Sequence, residues 1–249
     1  MKHLYVLLFW LAVTSIGRAD EVTQLIARAD QAEMSGDNDE ALQILKQATG
    51  PAQEDPQILK RLSRLYTRKI EDAGNPAESR KYAELAVKLG EEAVQQLPND
   101  AQLRIGLAAA YGKIIDYVDA RARIEYSKKV HAEAVRGLAL DPNSDFGYLI
   151  LARWNFSMAT INPLMRGLAE VVYGQFPAAS KEESLADFKK AIALAPDRII
   201  HHAEYAKVLE ALGDRPLARE QWQKVSGLKP IDAQDRRYQV MAASHLGRG

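Results

Sequence analysis

The chain has 249 residues, of which 33 are basic and 33 acidic, and it contains no cysteine. The absence of cysteine excludes disulfide frameworks, thiolate metal sites and thiol nucleophiles. A formal net charge of zero gives no reason to expect a nucleic-acid partner, because binding a phosphate backbone requires a concentrated basic surface.

The first residues have the composition of a secretory signal peptide. Lys2 precedes an apolar run over residues 4–13, and the small residues Gly17 and Ala19 follow it. Such a run is too short to cross about 30 Å of hydrocarbon as a lasting anchor. The alternative, a buried first helix, does not account for the acidic residues that come next. The sequence therefore predicts a signal peptide over residues 1–19 and a periplasmic or secreted mature chain with no stable membrane span.

The remainder of the chain, residues 20–249, is predicted to form one all-α domain. Apolar residues recur there with the period of a helix, and the alternating runs typical of strands do not appear. Small residues also repeat at fixed offsets near both ends: Ala29, Ala41 and Ala48, and again Ala206, Ala218 and Val225. Such spacing lets paired helices pack closely and is typical of a tetratricopeptide-like helical solenoid.

About five helix pairs follow one another along the chain. The first two pairs are predicted at Glu21–Met34 and Asp39–Thr49, and at Pro56–Asp72 and Ala77–Leu97, and the third reaches Leu140. The fourth pair is predicted at Asp145–Ala159 and Glu182–Leu194, the fifth at Ile199–Leu212 and Pro216–Leu228, and a capping helix at Asp232–Leu246. The second and third pairs have longer helices than the usual period of about 34 residues allows.

An insert that begins at Thr160 separates the two helices of the fourth pair. Its apolar residues fall on one side of a short predicted helix, which Gly174 and Pro177 end: Leu164, Met165, Leu168, Ala169, Val172 and Tyr173. In one interpretation this side lines an elongated apolar cavity of roughly several hundred Å³. In the other it fills a gap beside the long helices, a use that suits an adaptable residue such as Met165.

A second set of residues brackets this insert: Arg153, Trp154, Arg166, Tyr173, Gly174, Pro177, Phe188, Ala191 and Pro196. The set resembles the pattern of the regulator of microtubule dynamics family, which shows Leu-Gly-Arg-Trp, an inserted helix with an arginine, an aromatic-Gly-x-x-Pro stretch, and Ala-x-x-x-Phe-x-x-Ala ending in proline. One departure is Ala152 in place of the glycine. The resemblance covers roughly Tyr82 to Tyr238.

The resemblance implies two different roles. Animal members of the family are associated with microtubules. One member, at contacts between endoplasmic reticulum and mitochondria, has a domain of this type that binds and transfers phospholipids. An exported domain does not meet cytoplasmic microtubules, so only the binding of phospholipid or another amphipathic small molecule carries over, by analogy of fold.

The sequence offers no catalytic constellation. It lacks a recognisable nucleophile with its base, a metal cluster and a glycine-rich phosphate loop. The adjacent His201 and His202 point about 100° apart on a helix, so they cannot share a metal as an i, i+4 pair does. We therefore expect a non-catalytic protein with no cofactor and no metal.

The candidate ligand-binding residues lie around the insert. Arg153, Trp154 and Arg166 form a pocket wall in one interpretation, with the guanidinium groups facing a phosphate or carboxylate. In the other, the arginines pair with carboxylates such as Glu170, and Trp154 packs the insert down. The apolar candidates are Leu164, Met165, Leu168, Val172 and Tyr173. The first hypothesis is a scaffold that holds a protein or peptide in a concave groove, and the second is phospholipid binding or transfer at the insert.

Overall fold

The computed structural model describes residues 20–247, apart from the side chain of Met165. The predicted signal peptide lies outside these residues. The described residues form α-helices joined by turns and two short 3₁₀ segments, which confirms the all-α prediction. Contacts between residues divide the chain into two compact units, an N-terminal unit that ends at Tyr117 and a C-terminal unit that begins at Val118.

The described part of the N-terminal unit contains five α-helices. Helix α1 covers residues 20–35, and it is followed by α2 (Asn38–Leu45), α3 (Pro56–Asp72), α4 (Pro76–Gln96) and α5 (Ala101–Ile114). Helix α3 packs on α2, α4 and α5. Gly90 allows this close packing, because a Cβ atom there would lie 3.1 Å from Leu107 Cδ1 and 3.2 Å from Ser63 Oγ.

Helix α2 ends four residues earlier than predicted, at Leu45 instead of Thr49. The backbone N–H and the hydroxyl of Thr49 both donate to Glu21 Oε1 at 3.3 Å, which takes the chain out of the helix. Gly50 then adopts a positive φ of 51°, and Pro51 opens a 3₁₀ segment. A contact with α1 thus ends the helix, and the sequence around Leu45 does not predict this end.

The C-terminal unit holds the other helices of the described chain. They are α6 (Ala120–Leu140), α7 (Asp145–Ala159), α8 (Pro163–Tyr173), α9 (Lys181–Leu194), α10 (Ile199–Leu212), α11 (Arg215–Gly227) and α12 (Ala233–Leu246). Helix α7 pairs with α9, and α10 pairs with α11. Helix α8 is the predicted insert of the fourth pair, and α12 packs on α11 and α10 as the predicted cap.

The start of most of these helices is encoded locally. A side-chain oxygen accepts a hydrogen bond from the backbone N–H three residues later at Asp119, Ser144, Ser180, Asp214 and Asp232. Such caps satisfy N–H groups that have no partner within the helix. Because these signals are read directly from the sequence, the predicted bounds of α7, α9, α11 and α12 agree with the structure to within one residue. Those of α10 agree as well, although it begins without a side-chain cap.

A buried core fixes α7 beside α10. Phe188 of α9 is fully buried, and its ring stacks on Tyr205 of α10 with the centroids 5.3 Å apart. Leu149 of α7 and Leu209 of α10 belong to the same core. Trp222 of α11 is buried and belongs to a second core that α12 covers. The first helices of two consecutive pairs, α7 and α10, are thereby held next to each other.

Candidate functional site

A groove lies between α7 and α10 in the C-terminal unit. Each helix contributes one stripe of residues at i, i+3 and i+4, positions that share a face of a helix. The lining residues are Arg153, Phe156 and Ser157 from α7, and Glu204, Lys207 and Val208 from α10. The groove has a volume of about 200 Å³.

A buried carboxylate, Glu204, lines this groove. Its Oε1 accepts hydrogen bonds from Lys207 Nζ at 2.5 Å and from the Tyr238 hydroxyl at 2.7 Å. Its Oε2 lies 3.4 Å from Arg153 Nε. Burial alone would raise the pKa of Glu204, but Arg153, Lys207 and Tyr238 together hold that pKa below its ordinary value. Glu204 is therefore an anion that orients two cations.

Arg153 remains accessible although it is paired. Its side chain is 50% exposed, and among the described residues Glu204 is its ion-pair partner. The guanidinium group has five N–H donors in a planar fork, so one contact through Nε leaves its terminal groups available. Arg153 and Lys207 supply two positive charges against one negative charge on Glu204. Beside them, Phe156 and the buried Val208 give the groove an apolar side.

The structure places Trp154 away from this groove. The indole is buried, and its Nε1–H donates to the Ser127 carbonyl of α6 at 2.9 Å. Its ring packs against His131 of α6 with a centroid separation of 4.3 Å and an angle of 43° between the ring planes. Successive helical residues point about 100° apart, which explains why Arg153 faces α10 while Trp154 faces α6.

Arg166 is also separate from Arg153. Its Nε lies 3.1 Å from Glu170 Oε1 on the same helix, and a terminal nitrogen donates to the Pro177 carbonyl at 3.4 Å. These contacts correspond to the interpretation in which Arg166 pairs with Glu170. The structure thus does not bring Arg153, Trp154 and Arg166 together as one pocket wall.

The apolar side of α8 faces outward. Leu164, Leu168 and Val172 are 71%, 56% and 69% exposed, so these three residues do not fill a core. Tyr173 is half-buried, and its backbone carbonyl accepts a hydrogen bond from Lys128 Nζ. Met165 lies in α8, but its side chain is outside the described part of the structure.

Sequence reasoning identified Arg153 but missed the other groove residues. Glu204, Lys207 and Val208 have the same i, i+3, i+4 spacing as Arg153, Phe156 and Ser157. That spacing in the first helices of two consecutive pairs is a readable signal, because such helices lie side by side in a helical repeat. It was obscured because α10 carries apolar residues on almost every side.

The described residues show neither a metal centre nor a membrane helix. No group of three or more His, Cys, Asp or Glu side chains between residues 20 and 247 could hold a metal ion. Over the same residues, no helix combines the length and the apolarity needed to cross a membrane.

The fold places the protein among helical-repeat proteins of the tetratricopeptide type. It is similar to the crystal structure of a thermophilic TPR protein from Thermus thermophilus, with a TM-score of 0.65 and 19% sequence identity. The match covers 90% of this chain and 98% of that one. This likeness confirms the predicted fold class.

The family follows from the sequence. Residues 25–248 match the family model described as "Regulator of microtubule dynamics protein 1-3", and the chain belongs to that family. It is 22% identical over 173 residues to regulator of microtubule dynamics protein 2 of Bos taurus, covering 69% of this chain and 42% of the relative. It is 26% identical over 230 residues to protein 3 of Xenopus laevis, covering 87% of this chain and 48% of the relative.

These comparisons show the family and the fold class. Tetratricopeptide-like folds present surfaces that bind other proteins, so the fold and the family together indicate a protein-interaction scaffold. The chain spans less than half the length of these two relatives.

Proposed function

We propose that this protein is an exported, non-catalytic scaffold that binds a segment of a partner protein in the groove between α7 and α10. The observation that carries the proposal is the position of Arg153 and Lys207 around the buried Glu204. Two cations against one anion leave a net positive charge beside the apolar Phe156 and Val208. A partner segment that presents a carboxylate next to an apolar side chain matches this groove.

The pairing with Glu204 prepares Arg153 for such a partner. A long side chain that is already oriented loses less conformational entropy when it binds. Its terminal N–H groups suit a planar carboxylate, which accepts two parallel hydrogen bonds from one guanidinium. The partner's apolar side chain would pack on the half-buried Phe156, which strengthens the electrostatic contact by excluding water.

Export is the second part of the proposal, and it rests on the sequence of residues 1–19. If the segment is removed after Ala19, the protein recovered from its own host begins at Asp20. The relatives are named for the regulation of microtubule dynamics. We do not extend that activity to this protein, because an exported chain does not meet cytoplasmic microtubules.

Phospholipid binding is the alternative function. Arg153 is compatible with phospholipid binding, because a guanidinium group binds phosphate as well as carboxylate. The outward direction of Leu164, Leu168 and Val172 argues against it, because acyl chains need an enclosed apolar surface.

Site-specific crosslinking in the native host tests the groove. Ser157 is exposed and lines the groove, so a photoreactive amino acid at position 157 would capture the bound partner. The matched control carries the same group at Gln223, which is exposed on α11. We expect a specific protein to be crosslinked from position 157 and not from position 223. Mass spectrometry of the crosslinked protein identifies the partner. Mass spectrometry of the mature chain identifies its N-terminus and so tests the predicted cleavage after Ala19.

Variants of Arg153 connect the captured protein to the proposed chemistry. Arg153→Gln removes the charge, and we expect roughly a 10- to 100-fold loss of affinity for the captured segment, the range of a hydrogen bond to a charged group. Arg153→Lys keeps the charge without the fork and is expected to lose less. Capture of phospholipid alone from position 157 would favour the alternative. Equal protein capture from positions 157 and 223 would contradict the proposal that the partner binds in the groove.

A further inference from the structure

Helix α8 is amphipathic, but its apolar side points away from the protein. Its exposed residues Leu164, Leu168, Val171 and Val172 fall at i, i+4, i+7 and i+8, which is one face of a helix. We call these four residues the outer face of α8. In soluble proteins such a face normally packs on a core, so its exposure indicates an interaction surface.

Contacts on its other side hold α8 in this orientation. Lys128 Nζ donates to the carbonyls of Tyr173 at 2.5 Å and Gly174 at 3.1 Å, at the end of the helix. Arg166 connects α8 to the carbonyl of Pro177. Lys128 thus ties the C-terminal end of α8 to α6, and the outer face is left exposed.

The outer face is large enough to support an interface between two copies. Its four residues expose roughly 500 Å² of surface, so a pair of copies that buried both faces completely would remove at most roughly 1,000 Å² from water, about the minimum for a specific interface. The face contains no charged residue, so two copies meet without like-charge repulsion. Gly167 borders the face, and no atom lies within 4 Å of where its Cβ would be, which leaves room for a second helix.

The composition of α8 is less suited to other occupants. Helices that bind membrane surfaces usually carry several Lys or Arg residues on their polar side. The cation of α8, Arg166, is paired with Glu170 on the body side of the helix. Interfaces between different proteins are enriched in aromatic and arginine anchors, and the outer face consists of aliphatic residues only.

We propose that the outer face of α8 is a self-association surface, on which α8 of a second copy packs around a twofold axis. Such an interface is isologous, so each residue of the face contacts the same face on the other copy. Leu168 lies in the middle of the face. Across the twofold axis, Leu168 of one copy would therefore lie beside Leu168 of the other, whether the two helices are parallel or antiparallel. This surface is separate from the groove between α7 and α10, so it does not depend on the proposed groove function.

Single cysteines test the proposal directly, because the natural chain contains none. In the full chain, Leu168→Cys is expected to form a disulfide-linked dimer under mild oxidation. The control is Val240→Cys on α12, because Val240 is also an exposed aliphatic residue, with 73% exposure. We expect at least a 10-fold higher dimer yield for Leu168→Cys than for Val240→Cys. Equal yields would overturn the proposal.

Sedimentation over a range of concentrations measures the association without a crosslink. The matched variants are Val172→Asp and Val240→Asp, which place a charge at positions of similar exposure. We expect Val172→Asp to weaken dimerisation at least 10-fold and Val240→Asp to leave it unchanged, with both chains folded by circular dichroism. A natural chain that stays monomeric would overturn the proposal. So would a monomer that binds phosphatidylcholine–phosphatidylglycerol vesicles through Val172, since the face would then be a lipid surface.

Discussion

Helices α10 and α8 belong to the same C-terminal unit but are used in opposite ways. Helix α10 is buried along most of its length, including polar residues such as His202 and Glu204. Helix α8 exposes its most apolar residues instead. In a helical repeat, each regular helix has neighbours before and after it, whereas an inserted helix has no assigned neighbour. The insertion therefore creates an apolar surface that the repeat itself does not cover.

The polar side chains of α10 contact other helices, whereas the ion pair of α8 lies within the helix itself. In α10, Glu204 binds Tyr238 of α12 and pairs with Arg153 of α7, and His202 Nδ1 lies 2.8 Å from Gln221 Oε1 of α11. In α8, Arg166 pairs with Glu170 within the same helix. Helix α10 is thus tied to three other helices. Its substitutions should destabilise the protein, and those on the outer face of α8 should affect binding.

A matched pair of leucine truncations gives the largest expected difference. Leu209 of α10 is almost fully buried, and Leu209→Ala is expected to lower the free energy of unfolding by about 3 kcal/mol. Leu168→Ala on α8 should change it by less than about 0.5 kcal/mol, because the side chain is already exposed. Urea unfolding at a concentration where the chain is monomeric measures both. Comparable decreases in the free energy of unfolding for the two variants would show that the apolar side of α8 packs on the rest of the C-terminal unit.

The charge of Glu204 is expected to have the next largest effect. Glu204→Gln should lower the free energy of unfolding by about 2 kcal/mol at neutral pH, since it leaves Arg153 and Lys207 without an anion. The pKa of Glu204 is below its ordinary value of 4.5, so its ionised form stabilises the fold. That contribution is present above pH 4.5 and is lost as the pH falls through the lowered pKa. Chemical unfolding from neutral to acidic pH should therefore show the two proteins converging. A difference independent of pH would contradict this account.

Most of the fold was predictable because its signals are local. The apolar period marks each helix, and caps such as Ser144 and Asp214 mark where α7 and α11 begin. The end of α2 was predicted wrongly, because Thr49 is held by Glu21 of another helix. A contact between distant residues leaves no mark in the local pattern.

The candidate site was only partly predictable, for the same reason. The family resemblance drew attention to Arg153, but its partner Glu204 lies on the next helix pair. The apolar pattern of α8 was recognised as one side of a helix, but the predicted side omitted the exposed Val171 and included the half-buried Tyr173. Which side faces the protein depends on contacts of Arg166 and Lys128 with backbone carbonyls, and the periodicity of Leu164 and Leu168 does not contain that information.

Asp187 of α9 provides the smallest test, because it is a half-buried carboxyl group without the cations that surround Glu204. Burial and, to a smaller extent, the nearby Glu183 raise the pKa of Asp187, a hydrogen bond from Asn155 opposes them, and the net result is a pKa of about 6. The ionised form is therefore less favourable in the folded protein than in the unfolded chain. This cost is present above about pH 6 and absent below the ordinary value of 3.8.

Asp187→Asn should remove that cost, because its amide oxygen can still accept the hydrogen bond from Asn155. A shift of about two pKa units corresponds to about 3 kcal/mol at most, and solvent around this half-buried side chain reduces it to about 1 kcal/mol. We expect Asp187→Asn to be more stable than the natural chain at about pH 8 and equally stable below about pH 4, as measured by chemical unfolding. A variant that is less stable at the higher pH would show that Asp187, like Glu204, is stabilised as an anion. The contrast between Glu204, whose negative charge is stabilised by neighbouring cations, and Asp187, whose negative charge is not, would then no longer hold.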